Sequence, residues 1–198
     1  MSVATTLVRR GKIIFGVGVL FALIGLGISF AFPLEYRADA GVLIVPKTRF
    51  GVDPYTVVKS AERVGDNLAA VMKTDDFRAK VKSLEGTNLD WGKFETLTPR
   101  EKRRTWPQMV NASVVYGTGV LRVSAYNTNE IQAAAFAAAA AQTLATKGFE
   151  YVGGDMSIRV VDNPVVTPWP VRPNIPVNMV LGFVVGVLVM SVIVVRNR

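Results

Sequence analysis

Two long, uncharged apolar runs bracket the chain, and shorter hydrophobic periods fill the space between them. Ile13 to Phe32 carries no charge over 20 residues, and Val177 to Val195 none over 19. A helix rises about 1.5 Å per residue, so each run spans roughly the 30 Å hydrocarbon core of a bilayer. Both are predicted to be transmembrane helices. After the first, Tyr36, Ala38 and Ala40 alternate with Arg37 and Asp39 before the pattern turns fully apolar to Val45, which predicts a strand running from edge to core.

Asp53 and Pro54 form a helix start, with Val57, Val58, Ala61, Val64, Leu68 and Val71 at helical spacing behind them. Thr74 or Asp75 begins a shorter helix carrying Phe77, Val81 and Leu84, which Gly86 ends. Asn88 to Pro107 is less regular, with a short helix expected at Thr98-Pro99. Val110–Tyr116 and Val120–Tyr126 are β-rich runs joined by Gly117-Thr118-Gly119, the pattern of a hairpin. Asn127 and Glu130 read as a capping box for a long helix from Ile131 to about Tyr151, and Met156–Val161 as a last strand.

The predicted fold is therefore an α+β membrane protein: a two-transmembrane-helix hairpin with one small, extracytoplasmic, mixed-sheet α/β domain of order β-α-α-β-β-α-β. Its first and last strands adjoin spans that share a membrane face, and are expected to lie together and antiparallel. The expected divisions are a tail over 1–12, spans over 13–32 and 177–195, the domain over 33–163, a connector over 164–176 and a tail over 196–198.

Charge sets the orientation. Of 23 basic side chains, Arg9, Arg10, Lys12, Arg196 and Arg198 lie in the tails, where no acidic residue occurs; the rest of the chain holds 18 basic against 15 acidic groups. Basic residues beside spans resist translocation, so both termini are expected in the cytoplasm and the domain outside the inner (cell) membrane. Much of the high pI is then topogenic, and nucleic-acid binding is not implied. Ser29-Phe30-Ala31 fits a signal-peptide cleavage pattern, but the apolar run is long for that role and Pro33 crowds the site.

The chain has no cysteine and no histidine, which excludes disulfides, Cys/His zinc sites and Ser-His-Asp or Cys-His nucleophiles. Asp75-Asp76 and Glu85 with Asp90 are the nearest acidic groupings, and the first pair reads as cap and first-turn charges. No enzyme, metal site or cofactor is expected.

Pro164, Pro168, Pro170, Pro173 and Pro176, with Asn174, make a stiff extended segment before the second span. This PVVTPWPVRPNIP run, followed by Asn178 and a glycine-spaced span, resembles the Wzz-type chain-length determinant, or polysaccharide co-polymerase, family. The likeness extends over YRADAGVLIV, the central helices, the hairpin and NTNEIQAAAFAAAAAQTLA. The loop is short, so the chain resembles a minimal member, and with three residues after the second span no fused kinase domain is expected. The resemblance implies a ring-like homo-oligomer in polysaccharide (capsule, O-antigen or exopolysaccharide) biosynthesis, beside a polymerase and in contact with lipid-linked glycan. An accessory or binding module of a transport or secretion complex, unrelated to glycan, is the alternative.

Four groups of residues are candidates for contact. Asn178, Gly182 and Gly186 recur every fourth residue, and Gly18 with Ala22 offers a matching face, so close helix packing within the membrane is expected. Arg100, Lys102, Arg103 and Arg104 could hold an anionic glycan or lipid, though a solvated helix face is the plainer explanation. Trp91 and Trp106 flank that cluster as sugar-stacking or packing aromatics, with packing favoured. Ala133 to Ala141 would let the sheet or another subunit approach closely.

Overall fold

A computed structural model of the chain describes residues 8–47, 53–153 and 156–196. In chain order the elements are α1 (Gly11–Phe30), β1 (Tyr36–Pro46), α2 (Pro54–Val71), α3 (Asp75–Lys82), α4 (Gly92–Glu95), α5 (Pro99–Met109), β2 (Val110–Val115), β3 (Val120–Asn127), α6 (Glu130–Lys147), α7 (Phe149–Val152), β4 (Met156–Val166) and α8 (Ile175–Arg196). They divide into two units, one from the two ends of the chain and one spanning Glu35–Trp169.

The Glu35–Trp169 unit is built on one four-stranded sheet in the order β2-β3-β1-β4. Every pairing is antiparallel, which corrects the mixed sheet expected from the sequence. The reason lies in the hairpin. β2 runs parallel to β1 after the helical crossover, but β3 turns back through Gly117 and Gly119 (φ 81° and 67°) and slips between them. No two parallel strands are then neighbours. With α2 and α6 as the main crossover helices this is the split βαββαβ arrangement, and β1 and β4 are adjacent and antiparallel.

The helices cover one face only. On β1 the residues turned toward them, Ala38, Ala40, Val42 and Ile44, are buried, as are Leu121, Val123 and Ala125 of β3. Facing them are Ala61, Gly65 and Leu68 of α2 and Ala133, Phe136, Ala137, Ala140 and Leu144 of α6. Alanine brings α6 close to the sheet. At Gly65 an added Cβ would meet Val114 at 2.8 Å, so α2 depends on glycine for the same approach.

Local signals account for the helix starts. Asp53 accepts from the Thr56 N–H, Thr74 from Phe77, and Thr98 with Glu101 forms a capping box. At α6 the cap is Asn129, which accepts from Ile131 and Gln132, while Asn127 holds the Asn129 N–H. This corrects the expected Asn127 cap. The expected single helix to Tyr151 is also two: α6 ends at Lys147, and α7 begins after Gly148, packed too close to Leu144 and Ile158 for a side chain.

β4 is longer than its sequence suggests. It runs past Val161 to Val166 and takes in Pro164, which removes it from the expected connector. β4 lies at the sheet edge, with β1 as its one neighbour, so a residue without an N–H is tolerated there. Register shifts beside Gly41 absorb the irregularity.

Candidate functional sites

In the unit formed by the chain ends, α1 and α8 are both long and apolar enough to cross a membrane. They pack antiparallel: Val17 and Gly18 meet Gly186, Phe21 and Ala22 meet Gly182, and Gly25 meets Asn178. Side chains are excluded along this seam. A Cβ on Gly182 would lie 2.5 Å from the Phe21 carbonyl oxygen, and one on Gly25 would lie 2.7 Å from that of Asn178. Gly18 receives Phe183 and Val187, and Phe15 meets Phe183 edge-on at 5.5 Å. At one end of the seam Asn178 Nδ2 donates to Ser29 Oγ at 2.9 Å, and Ser29 Oγ donates to the Gly25 carbonyl at 2.9 Å. Ser29 is fully buried. Thus Gly18, Ala22, Asn178, Gly182 and Gly186 come together within one chain.

The proline-rich segment divides by role. Pro164 belongs to β4, and Pro168 is exposed. Arg172-Pro173 is a cis peptide. Asn174 caps α8, its Oδ1 accepting from the Val177 N–H at 3.3 Å, and Pro176 sits within the first turn of that helix.

The basic cluster lies on α5 and is partly neutralised. Lys102 donates to Glu95 at 3.0 Å and Arg103 to Asp75 at 2.6 Å. Arg100 and Arg104 are exposed, with no ion pair among the described residues. Glu95 also receives Lys82, and the two ammonium groups, Lys82 foremost, pull its pKa down to about 2. Asp75 is likewise lowered, first by Arg103 and then by Arg78. Asp76 takes the Tyr151 hydroxyl and Lys80. The Asp75-Asp76 pair is therefore committed to tying α3 to its neighbours, and among the described residues no cluster suits a metal ion.

Trp91 and Trp106 are packing residues. Trp106 is fully buried and donates Nε1–H to the Met72 carbonyl at 2.7 Å. Trp91 stacks on it at 5.9 Å and meets Phe94 and Phe136 edge-on.

Two further groups of residues were not singled out from the sequence. The uncovered sheet face carries a polar centre in which Asp39 accepts from Ser124 at 2.6 Å and pairs with Arg37 at 3.0 Å. Beside it the Asp162 carboxylate lies over Gly41. At the turn of the hairpin, Glu62 is 5 % exposed and accepts from Lys59 at 2.7 Å and from the Gly117 N–H at 2.6 Å. These donors, Lys59 first, lower its pKa. A carboxylate within the apolar stripe Val58-Ala61-Gly65-Leu68 was a readable sign of that contact; the sheet-face centre joins three strands and left no local sign.

No protein-family model matches the chain, and no curated protein matches it either.

Proposed function

We propose that this chain is an oligomeric membrane scaffold of polysaccharide biosynthesis, acting beside a polymerase on polymer length or export. The observation that carries the reading is the antiparallel pairing of two apolar helices between which, along the chain, one domain is inserted. Antiparallel packing puts the start of α1, with Arg9, Arg10 and Lys12, at the same end as Arg196 of α8. By the positive-inside rule that end is cytoplasmic, and the domain, joined to the opposite ends, is extracytoplasmic. Element order and the PVRPN segment add the resemblance to the Wzz-type family. The exposed Arg100 and Arg104 offer a contact for lipid-linked or acidic glycan.

The test is the mass of the full chain in nanodiscs, with particle images of the same sample. A closed ring of many identical copies is the expected result, together with a changed glycan length distribution when the gene is deleted. A stable monomer, with glycan length and amount unchanged by the deletion, would overturn the reading and favour an accessory module of a transport or secretion complex.

A further inference from the structure

The start of α2 and the turn of the β2–β3 hairpin border an open groove of about 560 Å³, lined by Tyr55, Val58, Lys59, Glu62, Tyr116 and Gly117. Tyr55 and Tyr116 keep 68 % and 73 % of their surfaces open. The core does not need them, because its aromatic cluster is complete around Trp106. Two exposed phenol rings beside one concave site are therefore available to a ligand.

Between the rings lies a fixed polar pair. Lys59 Nζ is 2.7 Å from Glu62 Oε2, and Glu62 Oε1 accepts the Gly117 N–H at 2.6 Å. Because Glu62 is buried and held at both oxygens, it fastens the turn bearing Tyr116 to the helix bearing Tyr55. Lys59 also sits 5.8 Å from the centre of the Tyr55 ring. The Lys59 side chain is 52 % exposed and its ammonium has three N–H donors, so donors remain for a guest, while Glu62 is sealed behind it. Glu62 disfavours an anion and Lys59 a cation. The guest that fits is neutral, with an apolar face for the rings and a rim of hydroxyls for the Lys59 ammonium.

We propose that this groove is a saccharide subsite that takes one neutral pyranose unit of a glycan, its C–H face on the tyrosine rings and its hydroxyls on Lys59. The choice of ligand class rests on the polysaccharide reading above. The groove is of small-molecule size, within the roughly 300–1,000 Å³ of such sites, which favours a sugar over the broad, flatter patch of a protein partner.

The test uses the full chain in nanodiscs and saturation-transfer NMR with the methyl pyranosides of glucose, galactose, mannose and rhamnose as probes. Transfer to the ring C–H protons of at least one probe is expected. Tyr55→Ala combined with Tyr116→Ala should weaken binding by roughly tenfold, while Tyr55→Phe with Tyr116→Phe retains it. Circular dichroism should match across the set, since both side chains are exposed. Absence of transfer from all four probes, or equal transfer in the alanine variant, would overturn the subsite. So would an alanine variant that binds normally but assembles to a lower mass, which would assign the rings to a protein contact. A wild-type ring that binds no pyranoside sinks the subsite alone; a pyranoside-binding monomer sinks the scaffold and leaves the subsite.

Discussion

Trp106 shows how much of the domain hangs on one side chain. Its ring joins Trp91 and Phe94, while its N–H closes the Met72 carbonyl at the end of α2. Truncation to alanine is expected to cost about 3–5 kcal/mol through the cavity it leaves. Trp106→Phe should cost less, leaving chiefly the Met72 carbonyl unpaired, at about 1–3 kcal/mol. Denaturant unfolding of the full chain, followed by tyrosine and remaining tryptophan emission, measures both. Glu95 makes a prediction in pH. Its folded pKa is depressed from 4.5 to about 2 by Lys82 and Lys102. The contribution is therefore whole above the ordinary carboxylate value and is lost as pH falls toward 2. The pairs are exposed, so the effect is small. The midpoint difference between wild type and Glu95→Gln should shrink over that window, and a difference that persists to pH 2 would contradict the assignment.

At the scale of elements, the seam between α1 and α8 is a close backbone-to-backbone contact. Glycine there is a matter of space: backbone oxygens stand where side chains would begin. Gly182→Leu is expected to force the helices apart at a cost of about 1–3 kcal/mol. The chain has no cysteine, so Ser29→Cys with Asn178→Cys gives a clean reporter, since the native side chains touch at 2.9 Å. That pair should oxidise within one chain, and its yield should fall when Gly182→Leu is added. Crosslinks between chains instead would mean that the glycine faces meet across subunits. The element boundaries teach a related point. Helix starts marked by a cap residue before proline, such as Asp53-Pro54 and Thr98-Pro99, were legible, whereas Asn129 displaced Asn127 because three candidate residues compete in Asn127-Thr128-Asn129 and strand β3 claims the first.

For the whole molecule, the proposed orientation has a direct test. Val8→Cys, just before α1, and Thr87→Cys, on the exposed loop after α3, should differ in their access to a membrane-impermeant maleimide in intact cells. Thr87→Cys is expected to label at once, and Val8→Cys only after the membrane is opened. Labelling in the opposite order would invert the topology and remove the domain from the extracytoplasmic side.

Composition and periodicity were enough to establish the two apolar helices, the hairpin, most helix starts and the adjacency of β1 to β4, because each follows from local spacing or from connections that share an end. The insertion of β3 between β1 and β2, which made the sheet wholly antiparallel, depended on where the hairpin packs. Likewise Pro164 could enter β4 only because that strand came to lie at an edge. The pairing of Ser29 with Asn178, the burial of Glu62 under Gly117 and the ion pair that occupies Arg103 all join residues distant in the chain. Such contacts are decided by which surfaces the fold brings within a few ångströms, and no local pattern of hydrophobic and polar residues encodes them separately.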